Sequence, residues 1–137
     1  MPASTTLDHI TIVSDDFEAS RPVYDAVLGA LGLAPRLDYE DPEADSDDTG
    51  TVAAIGYGHP LLLVLVAGLT ATVEAHVAFS VTERELVDAA HQAAVEVGAR
   101  IVQAPRAWES AHLNYYGTQL ADPVGNILEV FARVPAR

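Results

Sequence analysis

The sequence predicts an α+β fold made of two tandem modules, each strand, helix, strand, strand, strand. Three observations carry this. Leu7-Asp8-His9-Ile10-Thr11-Ile12-Val13 and Glu74-Ala75-His76-Val77-Ala78-Phe79-Ser80-Val81 are both short, apolar, strand-like runs with histidine as the third residue. An acidic helix start and an amphipathic helix follow each run. The distance from histidine to helix-stop glycine nearly matches, His9 to Gly32 and His76 to Gly98. A unit repeated with a histidine at the same place points to a site shared by two related halves.

In the first half, residues 5–13 lean to β-branched and apolar types and read as a strand. Asp15, with Glu18 three residues on, has the form of a capping box. Phe17, Tyr24, Leu28 and Leu31 then recur at helical spacing, and Gly32 stops the helix. Pro22 is expected near the first turn of this helix. Residues 33–39 form a second strand. The acid-dense run 38–48 reads as a solvated loop, since it lacks the fixed Asp, Asn and Gly offsets of a calcium loop. Residues 51–57 and 61–67 make a hairpin around Gly58-His59-Pro60.

The second half repeats the order. Residues 74–81 are a strand, and Thr82-Glu83-Arg84-Glu85 has the capping-box pattern. Leu86, Ala90, Ala94 and Val97 form the apolar face of a helix that ends at Gly98. Residues 100–103 are a strand, and a loop with Pro105 and Trp108 leads to a strand at 114–121. The turn Asp122-Pro123-Val124-Gly125-Asn126 opens the last strand, 127–133. Module one is thus 5–67 and module two 74–133, within one domain spanning 1–137.

Composition narrows the function. With 137 residues, half of them hydrophobic, the chain is long enough for a real core. The absence of cysteine removes disulfides, thiolate metal sites and a thiol nucleophile, and fits a cytoplasmic protein. No basic and apolar leader opens the sequence, so a secretory signal is not expected. The apolar run 61–67 falls well short of the roughly 20 residues that span a bilayer. Net charge is −13, and all seven basic residues are arginine. Nucleic acid and anionic membranes are therefore not expected as partners.

Three residues stand out as metal-ligand candidates: His9 and His76 on the leading strands, and Glu129 in Ile127-Leu128-Glu129-Val130-Phe131. A carboxylate among apolar strand residues is costly to bury unless paired or bound to a cation. Two imidazoles and a carboxylate form the facial set that suits Fe(II) and similar ions. His112 is a candidate acid/base, because its ordinary pKa lies near neutrality. Tyr115 or Tyr116 is a candidate hydrogen-bond donor to an oxyanion; strand alternation turns only one of them inward. Trp108 is a candidate for the pocket mouth.

The pattern resembles the vicinal oxygen chelate superfamily, which includes glyoxalase I, extradiol dioxygenases, and bleomycin and fosfomycin resistance proteins. The residues that carry the resemblance are Leu7-Asp8-His9-Ile10, Tyr24-Asp25-Ala26-Val27-Leu28-Gly29-Ala30-Leu31-Gly32, Ala75-His76-Val77-Ala78-Phe79, Asn114-Tyr115-Tyr116-Gly117, and Asp122-Pro123-Val124-Gly125-Asn126-Ile127-Leu128-Glu129. The resemblance implies two βαβββ modules whose mixed sheet curls around a cleft holding a divalent metal (Fe, Mn, Zn or Ni). Its ligand positions fall on His9, His76 and Glu129. The fourth position, on the last strand of module one, falls on Leu63, which leaves an apolar substrate-binding wall there. Glyoxalase chemistry in this superfamily uses carboxylates from both modules, so the resemblance implies a dioxygenase- or lyase-like enzyme acting on a small oxygenated molecule. The competing reading is a metal-free small-molecule binder of the bleomycin-resistance type. By the same resemblance, the protein is expected to be a homodimer.

Overall fold

A computed structural model of the protein describes residues 4–36, 54–108 and 114–133. In chain order the elements are β1 (Ile10–Ser14), α1 (Phe17–Ala30), β2 (Pro35–Arg36), β3 (Ala54–Tyr57) and β4 (Leu63–Ala67). Then follow β5 (His76–Val81), α2 (Arg84–Glu96), β6 (Arg100–Trp108), β7 (Tyr115–Ala121) and β8 (Ile127–Arg133). Each half is βαβββ. Its four strands form one mixed sheet, in the order β1-β4-β3-β2 and then, identically, β5-β8-β7-β6. The leading strand pairs in parallel with the last strand of its own module, and the other pairs are antiparallel.

The duplication extends to backbone detail. Gly32 and Gly98 both take positive φ, 80° and 76°. After each glycine the next amide reaches back five residues, Leu33 N–H to the Leu28 carbonyl at 2.8 Å and Ala99 N–H to the Ala94 carbonyl at 3.0 Å. Both helices therefore end in the Schellman arrangement, in which glycine carries no steric penalty.

Several local expectations shift. The cap of α1 is Asp16, not Asp15; its side chain accepts from the Ala19 amide at 3.2 Å. Pro22 is the sixth residue of α1 rather than a first-turn residue, and sits exposed. The second cap falls on Glu83, whose side chain makes no cap bond. Residues 104–108 are not loop: β6 runs on to Trp108, with register irregularities between Ile101 and Arg106. As an edge strand, β6 tolerates Pro105 and the bulging that comes with it. The acidic run 38–48 lies outside the described residues. Among those described, no helix is long and apolar enough to cross a membrane.

One face of each sheet packs on its helix. Ile12, Leu63 and Leu65 point to α1, while Phe79, Leu128, Val130 and Ala132 point to α2, and all join one buried cluster. Packing of α1 against α2 is the main contact between elements of different modules. The opposite face of each sheet is left free of helices. Thr11 lies on that face in the first module, with His9 just before the strand, and His76, Ala78, Glu129 and Phe131 lie on it in the second.

A second tie joins the modules at the turn before β8. Asp122 Oδ1 accepts from the Val124, Gly125 and Asn126 amides at 3.0, 2.8 and 2.9 Å. Its Oδ2 accepts from Asn126 Nδ2 and, across the modules, from the Tyr24 hydroxyl at 2.7 Å. Asn126 is fully buried. Its Oδ1 accepts from the Ala75 amide and its Nδ2 donates to the Thr72 carbonyl. The linker is thereby sewn to the turn directly before His76.

Burial, together with an Asp122 hydrogen bond for Tyr24 and an Asp25 hydrogen bond for Tyr57, pushes both phenol pKa values far above the ordinary value. A raised pKa contributes stability that is complete below the unfolded value, near 10, and fades as pH rises past it. Urea titrations between about pH 9 and 11 are expected to show stability falling by about 1.4 kcal/mol in total for each such tyrosine, most of it above about pH 10. Tyr24→Phe and Tyr57→Phe should each remove one such increment; an unchanged slope in both would contradict the assignment.

Candidate functional site

The site forms where alternation turns a carboxylate away from the core. In β8, Leu128, Val130 and Ala132 are buried against α2, so Glu129 and Phe131 must face the other way. Register then sets the neighbours: Ala78 of β5 on one side of Glu129 and Gln119 of β7 on the other. Glu129 Oε1 takes hydrogen bonds from Gln119 Nε2 at 2.8 Å and meets His76 Nε2 at 2.9 Å. Oε2 accepts from the Tyr115 hydroxyl at 2.6 Å. The carboxylate side chain is 13 % exposed and the imidazole 51 %.

Burial tends to raise the pKa of Glu129. The hydrogen bonds from Tyr115, His76 and Gln119, with the charge of His76, outweigh burial and hold it below the usual carboxylate range. Tyr115 moves the other way: burial, then the bond to Glu129 and its charge, push the phenol well above its ordinary value, against the pull of Arg133. Tyr115 is therefore a protonated donor at neutral pH, one that orients the carboxylate.

The two tyrosines separate as alternation requires. Tyr115 shares the face of Glu129. Tyr116 lies on the helix side, donating to Asp88 of α2 at 2.6 Å with Arg84 4.9 Å over its ring. Burial and the Asp88 bond push its pKa up to about 12.

Gly117 and Gln119 were missed in the sequence. The Tyr115 ring leans over Gly117, where an added Cβ would come within 2.6 and 2.7 Å of ring carbons. A glycine inside a strand pattern is the signal that could have found it. Gln119 carries no such mark, since its role depends on facing Glu129.

The other candidates are distributed as follows. His9 precedes β1, with Nδ1 2.7 Å from Asp8 Oδ1. Leu63 is fully buried in the core. The register counterpart of Glu129 is Val64, because Thr11 pairs with Val64 as Ala78 pairs with Glu129. Counting along the sequence had placed it one residue early; the position is apolar either way. Trp108 meets the edge of Tyr115 at 5.0 Å between centroids. His112 lies outside the described residues. Among the described residues, no group of three or more His, Asp or Glu side chains stands close enough to hold a metal ion. One chain thus brings together His76 and Glu129, and His9 does not join them. A separate apolar cavity of about 300 Å³ lies where Leu31, Leu33 and Leu62 meet residues 78–81 of β5.

Residues 6–130 match the family described as the Glyoxalase/Bleomycin resistance protein/Dioxygenase superfamily. The chain belongs to this superfamily. Solved structures with the same fold include a glyoxalase/bleomycin resistance protein from Albidiferax ferrireducens T118, at 23% identity and TM-score 0.70, covering 93% of this chain and 98% of that one. A glyoxalase/dioxygenase from Nostoc punctiforme is 22% identical with TM-score 0.66, covering 94% and 91%. The fosfomycin resistance protein FosX from Mesorhizobium loti is 16% identical with TM-score 0.62, covering 94% and 92%. At these identities the likeness is one of fold. No curated protein matches the sequence.

Proposed function

We propose that the protein is a divalent-metal-dependent enzyme of the vicinal oxygen chelate type, acting on a small oxygenated molecule by dioxygenase- or lyase-like rather than glyoxalase chemistry. The observation that carries this reading is the close pair of His76 Nε2 and Glu129 Oε1, with the carboxylate held by Tyr115 and Gln119. An imidazole and an oriented carboxylate suit Fe, Mn, Zn or Ni, and outer hydrogen bonds of this kind tune such ligands. His9 supplies the third ligand. Its Nδ1 contact with Asp8 favours the tautomer that leaves Nε2 to coordinate.

Because the modules pack mainly through their helices and His9 stands apart from His76 and Glu129, the set closes between two copies of this chain. His9 then comes from one copy, and His76 and Glu129 from the other. A divalent ion there supplies Lewis acidity toward a substrate oxygen. Tyr115, kept protonated, holds the carboxylate and excludes water from it. Val64, in place of a second carboxylate, removes the proton shuttle that a glyoxalase mechanism needs.

Metal analysis after incubation with Fe(II) or Mn(II) tests the reading. Wild type is expected to bind stoichiometric metal, and His9→Ala and Glu129→Ala to lose it. Mixing the two variants should restore one site in each mixed dimer, since His9 of one and Glu129 of the other remain. No uptake by wild type would sink the enzyme reading. It would favour a metal-free small-molecule-binding protein of the bleomycin-resistance type. Stabilisation of chelator-treated protein by a ligand would then be the positive sign.

A further inference from the structure

The helix-free face of the second sheet holds more chemistry than the ligand pair uses. Next to Glu129 runs a row of three rings: Trp108 edge-on to Tyr115, and Tyr115 stacked on Phe131 at 5.2 Å. A guanidinium closes each end. Arg106 lies 4.8 Å over Trp108, and Arg133 lies 4.9 Å over Phe131. Register puts all five on one face, in two rungs beyond the Gln119–Glu129 rung. Arg106, Gly117 and Phe131 form the nearer rung, and Trp108, Tyr115 and Arg133 the farther.

The chain has 20 acidic residues against seven arginines, so an arginine without a carboxylate calls for a reason. Arg21 is bonded to Asp25, and Arg84 lies beside Tyr116 and Asp88. Among the described residues, neither Arg106 nor Arg133 has a carboxylate partner; an aromatic ring holds each instead. A guanidinium laid on a ring is positioned without using its in-plane N–H donors, which remain available to an oxyanion. Along β8 the face is therefore polarised, with Glu129 at one end and the held Arg133 at the other, while Arg106 caps the ring row on β6. From Glu129 to Arg133 is four residues of strand, about 13 Å, the reach of a one-ring molecule with its substituents.

We propose that this face binds a small aromatic anion through its carboxylate or an equivalent oxyanion. Arg133 holds the charged group. The ligand body lies along β8 over Phe131 and Tyr115, its uncharged end points to His76 and Glu129, and Arg106 stands at the opposite end of the ring row. The inference rests on the proposed site for the choice of face and names the class of molecule that enters it.

The test uses 19F NMR titrations of chelator-treated full-length protein, so no metal is needed. The probes are 4-fluorobenzoate, 4-fluorophenylphosphonate and the neutral 4-fluorobenzamide. At least one anion is expected to bind about tenfold more tightly than the amide, with an affinity that falls as salt rises. Preference between the two anions identifies the oxyanion. Arg133→Gln should weaken the anion and leave the amide unchanged, whereas Arg106→Gln should leave the anion preference intact. Equal binding of amide and anions, or full anion binding in Arg133→Gln, overturns the proposal. Should a variant fail to fold, the comparison of anion with amide in wild type still decides. Metal uptake that persists while anion preference is absent would refute this inference alone. Anion preference without metal uptake would refute only the metal-dependent reading.

Discussion

Asp122→Ala is expected to be the most destabilising single change in the protein, by roughly 3–5 kcal/mol. Asp122 is 4 % exposed and accepts five hydrogen bonds, from three backbone amides, the Asn126 side chain and the Tyr24 hydroxyl. Removing it leaves several buried donors without acceptors, each costing about 1–3 kcal/mol before water and relaxation recover part of it. The sum is a large share of a typical domain's 5–15 kcal/mol. Asp122→Asn should be milder, since its carbonyl oxygen still accepts the backbone amides. Its amide group cannot accept from Tyr24. Tyr24→Phe should cost about 1.5–3 kcal/mol, for one hydrogen bond to a charged acceptor. Urea denaturation of the three variants gives the ranking. A loss below about 1 kcal/mol for Asp122→Ala would show that the turn is not the tie between modules described above.

The second large effect is expected at Gly117, where Ala should cost function rather than stability. A methyl group there occupies the space of the Tyr115 ring. That ring cannot simply turn aside, because Phe131 stacks on it, Trp108 abuts it and Glu129 accepts its hydroxyl. The alanine therefore costs Tyr115 its bond to Glu129. Free of that bond, the carboxylate keeps only His76 and Gln119, and its pKa should rise toward the ordinary range. Gly117→Ala is expected to weaken metal or ligand binding about as much as Tyr115→Phe does, by roughly tenfold or more. The double variant should be no worse than either single one, because both act on one contact. Additive losses would separate Gly117 from Tyr115. The near-ultraviolet circular dichroism of Trp108 and its ring neighbours provides a structural readout of the same displacement.

The site was partly legible for reasons visible residue by residue. Glu129 announced itself because a carboxylate among apolar strand residues needs a partner. His9 and His76 did so because they repeat. Their neighbours were less visible. Whether Tyr115 or Tyr116 faces the site depends on parity, and parity follows from which side α2 covers. Trp108 was read as loop because Pro105 suggests a break; an edge strand absorbs that break by bulging. The counterpart of Glu129 was misplaced by one residue for a similar reason. Counting along a chain does not see pairing, and the pairing of Thr11 with Val64 sets the true equivalence.

By itself, the sequence determined the two βαβββ modules, their helix-stop glycines and the Asp122-to-Asn126 turn, because periodicity, positive φ and turn chemistry are local properties. Tertiary structure decided which carboxylate oxygen meets which donor, why Gly117 must lack a side chain, and how Arg106 and Arg133 come to flank one row of rings. Those facts depend on strand register, which brings together residues far apart in the chain, and no local pattern encodes it. Even the broken symmetry between the modules is of this kind: its apolar member was visible in the sequence, but only pairing identified it as Val64.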